Sequence, residues 1–267
     1  IGFMSGGKTA RWTDEEMPLT FLEKAKQFIE DNKQHPFFLY YALTEPHVPL
    51  MPSTMFKGKS ILGFRGDAIL QLDWAVGEIL NQLKASGIEK NTIIIFQDGA
   101  VTKLNGHTPW GPFRGGKYSA FEAGTRIPFI ISWPGKIKPK ISDAMICQVD
   151  MLASFSKLLH QNTPDSDVMD SESMLDALMG KSSKGRKILI EQGGALSVVK
   201  DNWKYIEPNN GPALQTETNI ELGNAATPQL YDLLKDIGEK NNLAEKYPEK
   251  VKELAALMKH IKQKSSQ

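Results

Sequence analysis

Lys117 and His47 are the two residues whose types and settings could act on an anion. Lys117 closes the run Arg114-Gly115-Gly116-Lys117 within "GPFRGGKYSAFEAGTRIPFIISWPG", residues 111 to 135. Two glycines beside one lysine remove side-chain obstruction and let backbone and ammonium approach a ligand closely. His47 sits in "TEPHVP", where Pro46 and Pro49 stiffen a loop, a setting that suits a positioned proton carrier. His107, in "NGHTPWGP", shares the longer loop with Lys117, and Trp110 there either covers the core or offers its face to a sugar, with the core preferred. Read from the residues alone, this is an anion-handling site built from two loops. It would suit a sulfate ester or a phosphate ester.

Elements must hold those loops. "TDEEMPLTFLEKAKQFIEDNK" carries Phe21, Ala25, Phe28 and Ile29 at helical spacing, with Thr13 as a cap. The apolar run Phe37 to Leu43 predicts a buried strand just before His47. Residues 67 to 86 predict a helix with one wide stripe (Ile69, Leu72, Val76, Ile79, Leu80, Leu83) that stops at Gly87. "NTIIIFQ" and "RIPFIISW" predict two further buried strands, and strand, helix, strand in this order implies a largely parallel sheet covered by helices. Chemistry in such sheets lies beyond the strand C-termini, where the His47 loop and the loop from Phe96 to Lys117 both fall.

A helix is expected between Asp143 and Leu159, followed by a Ser-, Asp- and Lys-rich segment that reads as a linker or exposed hairpin. Beyond it "KILIEQ", "ALSVVKDNWKYIEP" and "PQLYDLLKD" predict a small antiparallel sheet, with Asp201-Asn202 as a hairpin turn, and "YPEKVKELAALMKHIKQK" a closing helix. The expected organisation is α/β: residues 1–165 form part of a catalytic domain, 166–185 a linker, and 186–267 a small antiparallel-sheet subdomain.

Composition narrows the partners. Of 267 residues, 32 are Lys or Arg against 31 Asp or Glu, so no bulk electrostatic case exists for nucleic acid or an anionic membrane surface. No run approaches the roughly 18 apolar residues of a membrane-crossing helix. The single cysteine, Cys147, excludes an internal disulfide and reads as a small buried hydrophobe. The chain starts at Ile1 without a signal-peptide shape, which reads as a start in mid-gene.

The combination of "FFLYYALTEPHVP", "RGDAILQLDWAVGEIL", "NTIIIF", "GPFRGGKYSAFEAGTRIPFIISWPGKI" and "PQLYDLLKDIGEKNNLAEKYPEKV" resembles the sulfatase family of the alkaline-phosphatase superfamily, most of all bacterial enzymes that desulfate carbohydrates. The resemblance covers nearly the whole chain in the family's order. It implies a sulfuric-ester hydrolase acting on a sulfated carbohydrate or an aryl sulfate. It also implies a formylglycine nucleophile made from the cysteine of a Cys-x-Pro-Ser-Arg signature, and a calcium ion (Ca2+) held by carboxylates and an Asn. On this sequence His47 would assist the leaving oxygen and Lys117 would grip the sulfate, with His107 and Arg114 as further substrate-binding candidates. A proton donor and a cation already aimed at those oxygens are what the chemistry needs.

Two departures stand out. No Cys-x-Pro-Ser-Arg is present, since Cys147 is followed by Gln-Val-Asp, so the nucleophile and most calcium ligands are expected in an N-terminal half outside this chain. Residues 1–267 alone are therefore not expected to turn over. "IIIFQDGAV" also lacks the family's Asp-Asn pair. Asp98 is either its remnant, hence a metal candidate, or part of a later stretch of the loop; the second fits better because the match then runs unbroken to "RGGK". Two rivals remain: a phosphoesterase of the same superfamily, and a non-catalytic glycan-binding remnant. "RGGK" and "EPHVP" speak against the first, as do five scattered histidines that cannot form a two-zinc site. Export to the periplasm, cell surface or medium is expected from the family alone.

Overall fold

The computed structural model describes residues 5–99 and 110–264. The chain forms two compact units, Ile1–Ile93 with Trp133–Gly135, and Ile94–Ser132 with Lys136–Gln267.

In the first unit helix α1 (Met17–Asn32) packs on helix α2 (Gly63–Ala85). Leu22, Ala25 and Ile29 bury one stripe of α1, and Ala68, Gln71, Ala75 and Leu83 the facing stripe of α2, at the three- and four-residue spacings that put side chains on one helical face. Lys26 and Glu78 tie the two helices at 3.1 Å. Gly87 ends α2 in the left-handed region (φ +72°), with Ile88 N–H returned to the Leu83 carbonyl at 3.1 Å.

The run 37–43 is not a strand, which corrects the sequence expectation. Its exposure alternates residue by residue as in extended chain, with Phe38 and Tyr40 more than three-quarters exposed. Among the described residues it has no ladder partner. Apolar content makes a chain extended, but only a neighbouring backbone makes it a strand.

The second unit contains strand β1 (Ile94–Gln97), short helix α3 (Glu122–Thr125), strand β2 (Phe129–Ser132), helices α4 (Asp150–Leu158) and α5 (Leu175–Leu178), strands β3 (Ile188–Gly193), β4 (Ala195–Lys200), β5 (Trp203–Ile206), β6 (Leu214–Gln215), β7 (Ile220–Glu221) and β8 (Gln229–Asp232), and helix α6 (Pro248–Lys264). The mixed α/β class stands, but within the expected largely parallel sheet the two described strands β1 and β2 do not run parallel. They pair antiparallel, Ile94 opposite Ser132 and Gln97 opposite Phe129. A parallel return needs a crossover of a dozen or more residues, usually helical. Among the described residues between these strands the only helix is the four-residue α3.

The expected antiparallel sheet is present, in the order β3-β4-β5-β8. Asp201 takes a left-handed φ of +57° in the Asp201-Asn202 turn between β4 and β5. One face packs Val198, Tyr205 and Leu230 against Leu254 and Met258 of α6. The other face packs Ala195, Ile206 and Tyr231 against Ala120 and Phe121, which follow Lys117 directly. The sheet thus carries the candidate turn on its back. The segment before β3 is fastened by buried Asp150, which accepts the N–H groups of Cys147 (2.8 Å) and Glu172 (2.9 Å) and faces Arg186 Nε at 3.0 Å from each oxygen.

Candidate active site

Lys117 stands at the corner of a turn closed by Ser119 N–H to the Gly116 carbonyl, 2.9 Å. Its ammonium lies 5.5 Å from the ring centre of Tyr118. The glycines before it do something other than open a path to a ligand. A Cβ on Gly115 would sit 2.3 Å from Ser119 Oγ, and one on Gly116 would press on Ile220 and Trp110 at 3.1 and 3.2 Å. The space beside these two glycines is filled by the protein itself. They let the turn close tightly and Trp110 cover it, with Gly116 in a region (φ +152°) that other residues avoid.

Both ends of the turn are tied to distant parts of the chain. On the N-terminal side Arg114 donates to both carboxylate oxygens of Glu221 (2.8 and 2.9 Å) and to the Glu239 carbonyl (2.8 Å), and its guanidinium covers the Phe121 ring at 4.1 Å. The bond to Glu221 holds Arg114 above its usual pKa and Glu221 below the usual carboxylate range. Expected as a substrate contact, Arg114 has Nε, Nη1 and Nη2 all engaged within the chain.

On the C-terminal side Glu122 opens α3. Its Oε1 receives Lys204 at 2.9 Å, and its N–H donates to Glu239 Oε2 at 2.6 Å. Lys204, on β5, is fully buried and also faces Glu191 at 3.1 Å and Glu239 at 3.7 Å. Burial works against its charge, but the three carboxylates outweigh burial and hold Lys204 above its ordinary pKa. Burial also pushes Glu239 up to about 7, although Lys204 and the Glu122 N–H pull the other way. Glu239 Oε1 has no hydrogen-bond partner. Arg126 pairs with Glu122 at 3.3 Å, on the exposed flank of this cluster.

Lys204, Glu191 and Glu239 were not singled out by sequence. One signal was available: the period of two along β5 puts Lys204 on the same inward face as Ile206. A lysine on a buried strand face needs acids nearby.

His47, in the first unit, is exposed, and its Nδ1 meets the Val48 carbonyl at 2.7 Å. A carbonyl only accepts, so in this contact Nδ1 carries the proton. The loop is held from α2 by buried Gln71, whose amide donates to Glu45 and accepts the Ser53 N–H at 2.8 Å. These contacts bracket His47 on both sides, and sequence reasoning missed Gln71 as well.

His107 lies outside the described residues. Asp98 follows β1 and its Oδ1 accepts the Gly99 N–H at 2.7 Å. Among the described residues no group of three His, Cys, Asp or Glu could hold a metal ion, so Asp98 belongs to no such group there and these residues do not by themselves make a calcium site. Cys147 is a free, half-buried thiol.

Comparison with known proteins agrees with the motifs. The sulfatase family model matches residues 11–161, more than half of the chain, and the chain belongs to the sulfatase family. It is 48% identical to an N-acetylgalactosamine-6-O-sulfatase of Bacteroides thetaiotaomicron, over 98% of this chain and 54% of that protein. It is 33% identical to the N-acetylgalactosamine-6-sulfatase of Mus musculus, over 67% of this chain and 36% of that one. A solved structure described with the metabolism of multiple glycosaminoglycans by Bacteroides thetaiotaomicron superposes with a TM-score of 0.93 at 47% identity, covering 97% of this chain and 57% of that chain. The fold is that of the alkaline-phosphatase-like sulfatases. The chain spans about half the length of these bacterial relatives.

Proposed function

We propose that this chain supplies the lysine- and histidine-bearing part of a sulfatase active site that removes sulfate from a carbohydrate. The observation that carries the reading is the Lys117 turn, clamped on one side by Arg114 and on the other by Glu122 over a buried lysine. Such bracing fixes the backbone from which the ammonium extends, and a positioned donor is what electrostatic stabilisation of a departing ester oxygen requires. The names of the 48% and 33% identical relatives support an N-acetylgalactosamine 6-sulfate ester as the substrate class.

His47 then has a defined part. With Nδ1 held by Val48, a second proton, when bound, sits at Nε2, and in this reading that proton passes to the leaving sugar oxygen. Formylglycine and calcium, expected from the family resemblance, would supply the attacking oxygen and further charge neutralisation. The sequence has no Cys-x-Pro-Ser-Arg, and among the described residues no group of three His, Cys, Asp or Glu could hold a metal ion, so this reading assigns both groups to residues beyond this chain. Export follows from the same resemblance.

The test is sulfate release from N-acetylgalactosamine 6-sulfate by the complete enzyme, with residues 1–267 alone as control. The complete enzyme should release sulfate and the control none. Hydrolysis of phosphate but not sulfate esters would replace the reading with the phosphoesterase one, and binding of the sugar without turnover would leave a glycan-binding remnant.

A further inference from the structure

Tyr118 occupies a backbone position made for glycine. In the turn from Gly116 to Ser119 it stands third, with φ +79°, a left-handed conformation that costs folding energy for a residue with a bulky side chain. The neighbouring positions give no cause for a tyrosine here. Ser119, Ala120 and Phe121 are all buried, whereas Tyr118 is 54% exposed. Its backbone is wedged by the β3–β4 hairpin: a Cβ on Gly193 would lie 2.0 Å from the Ser119 carbonyl oxygen, and one on Gly194 would lie 3.7 Å from that of Tyr118. The hairpin therefore fixes the strained peptide and leaves the ring outside, beside the Lys117 ammonium at 5.5 Å.

We propose that Tyr118 is a specificity-determining residue, its ring receiving the apolar C–H face of the sugar whose sulfate meets Lys117. This rests on the sulfatase reading above. An aromatic face takes the C–H side of a pyranose as it takes other apolar surface, and an adjacent cation fixes which end of the sugar carries the charge. Strain retained at one exposed residue, where glycine would relieve it, is the pattern of a position kept for binding.

The test compares Tyr118→Gly and Tyr118→Phe with wild type in the complete enzyme. Three quantities are read: Tm, kcat/KM for N-acetylgalactosamine 6-sulfate, and Ki for inorganic sulfate, which has no ring. Tyr118→Gly should keep or raise Tm, because glycine takes φ +79° without strain. It should lower kcat/KM about tenfold, the worth of one modest aromatic contact. The sulfate Ki should move little, and Tyr118→Phe should keep kcat/KM. If Tyr118→Gly lowers Tm and weakens sugar and sulfate alike, the ring is structural and the proposal falls. It also falls if kcat/KM is unchanged in a wild type that turns over the sugar. A wild type that hydrolyses no sulfated sugar ends the proposed function first, and this assignment with it.

Discussion

The loop that carries His47 is braced by a neutral amide, while the turn that carries Lys117 is braced by a buried lysine among three glutamates. Gln71 reaches residues 18 and 26 positions away, all within one unit. Lys204 reaches Glu122 across 82 positions, and Glu239 reaches it across 117. The difference follows from what each loop presents. A histidine that donates and accepts protons needs orientation, which hydrogen bonds supply. A fixed ammonium in a glycine turn needs rigid backbone close to positive charge, and a buried network with acids in excess supplies it without leaving a bare cation nearby.

The largest expected effect comes from breaking the charged brace. Lys204→Met should cost about 3–5 kcal/mol of stability, since it leaves buried Glu122 and Glu239, with half-buried Glu191 beside them, without their cation. Urea unfolding at neutral pH measures it, and a loss below that of an ordinary surface substitution would remove Lys204 as the support of the turn. Gln71→Ala should cost less, about 2 kcal/mol for one buried amide with two bonds. If the two variants lose equally, charge is not what separates the regions.

The smallest effect is a slope with pH. Burial sets the folded-state pKa of Glu239 at about 7, above the ordinary glutamate value it has when unfolded. Between those two values the folded chain binds the extra proton, so stability should fall as pH rises from the carboxylate range to about 7. Glu239→Gln cannot titrate, and its unfolding free energy should lose that part of the slope. An unchanged slope would show that another group sets it.

These regions also differ in what the sequence disclosed. Helix α2 and its stop at Gly87, the Asp201-Asn202 hairpin and α6 were legible, because period, turn chemistry and capping are local. His47 and Lys117 drew notice because prolines and glycines mark them. Residues 37–43 misled because an apolar run fixes extended backbone and leaves its neighbour unspecified. The parallel sheet misled because the helix at 67–86 was read as a crossover between the run 37–43 and β1, while β1 pairs antiparallel with β2. The Lys204 cluster joins residues 122, 191, 204 and 239, whose meeting depends on the packing of β3, β5 and the Lys117 turn, and no local pattern records it.

Lys117 is the cation of the turn on which sulfate recognition depends in the proposed function. The direct measurement is kcat of the complete enzyme on N-acetylgalactosamine 6-sulfate for Lys117→Ala and Arg114→Ala, each with its Tm. Lys117→Ala should keep wild-type Tm and lose about 10²-fold in kcat, the usual worth of one preorganised donor at developing charge. Arg114→Ala should lose Tm through its bonds to Glu221 and Glu239, with a smaller loss of kcat per folded molecule. Near-full kcat in Lys117→Ala, with abolished turnover at unchanged Tm in Arg114→Ala, would contradict the assignment and move the sulfate to the arginine.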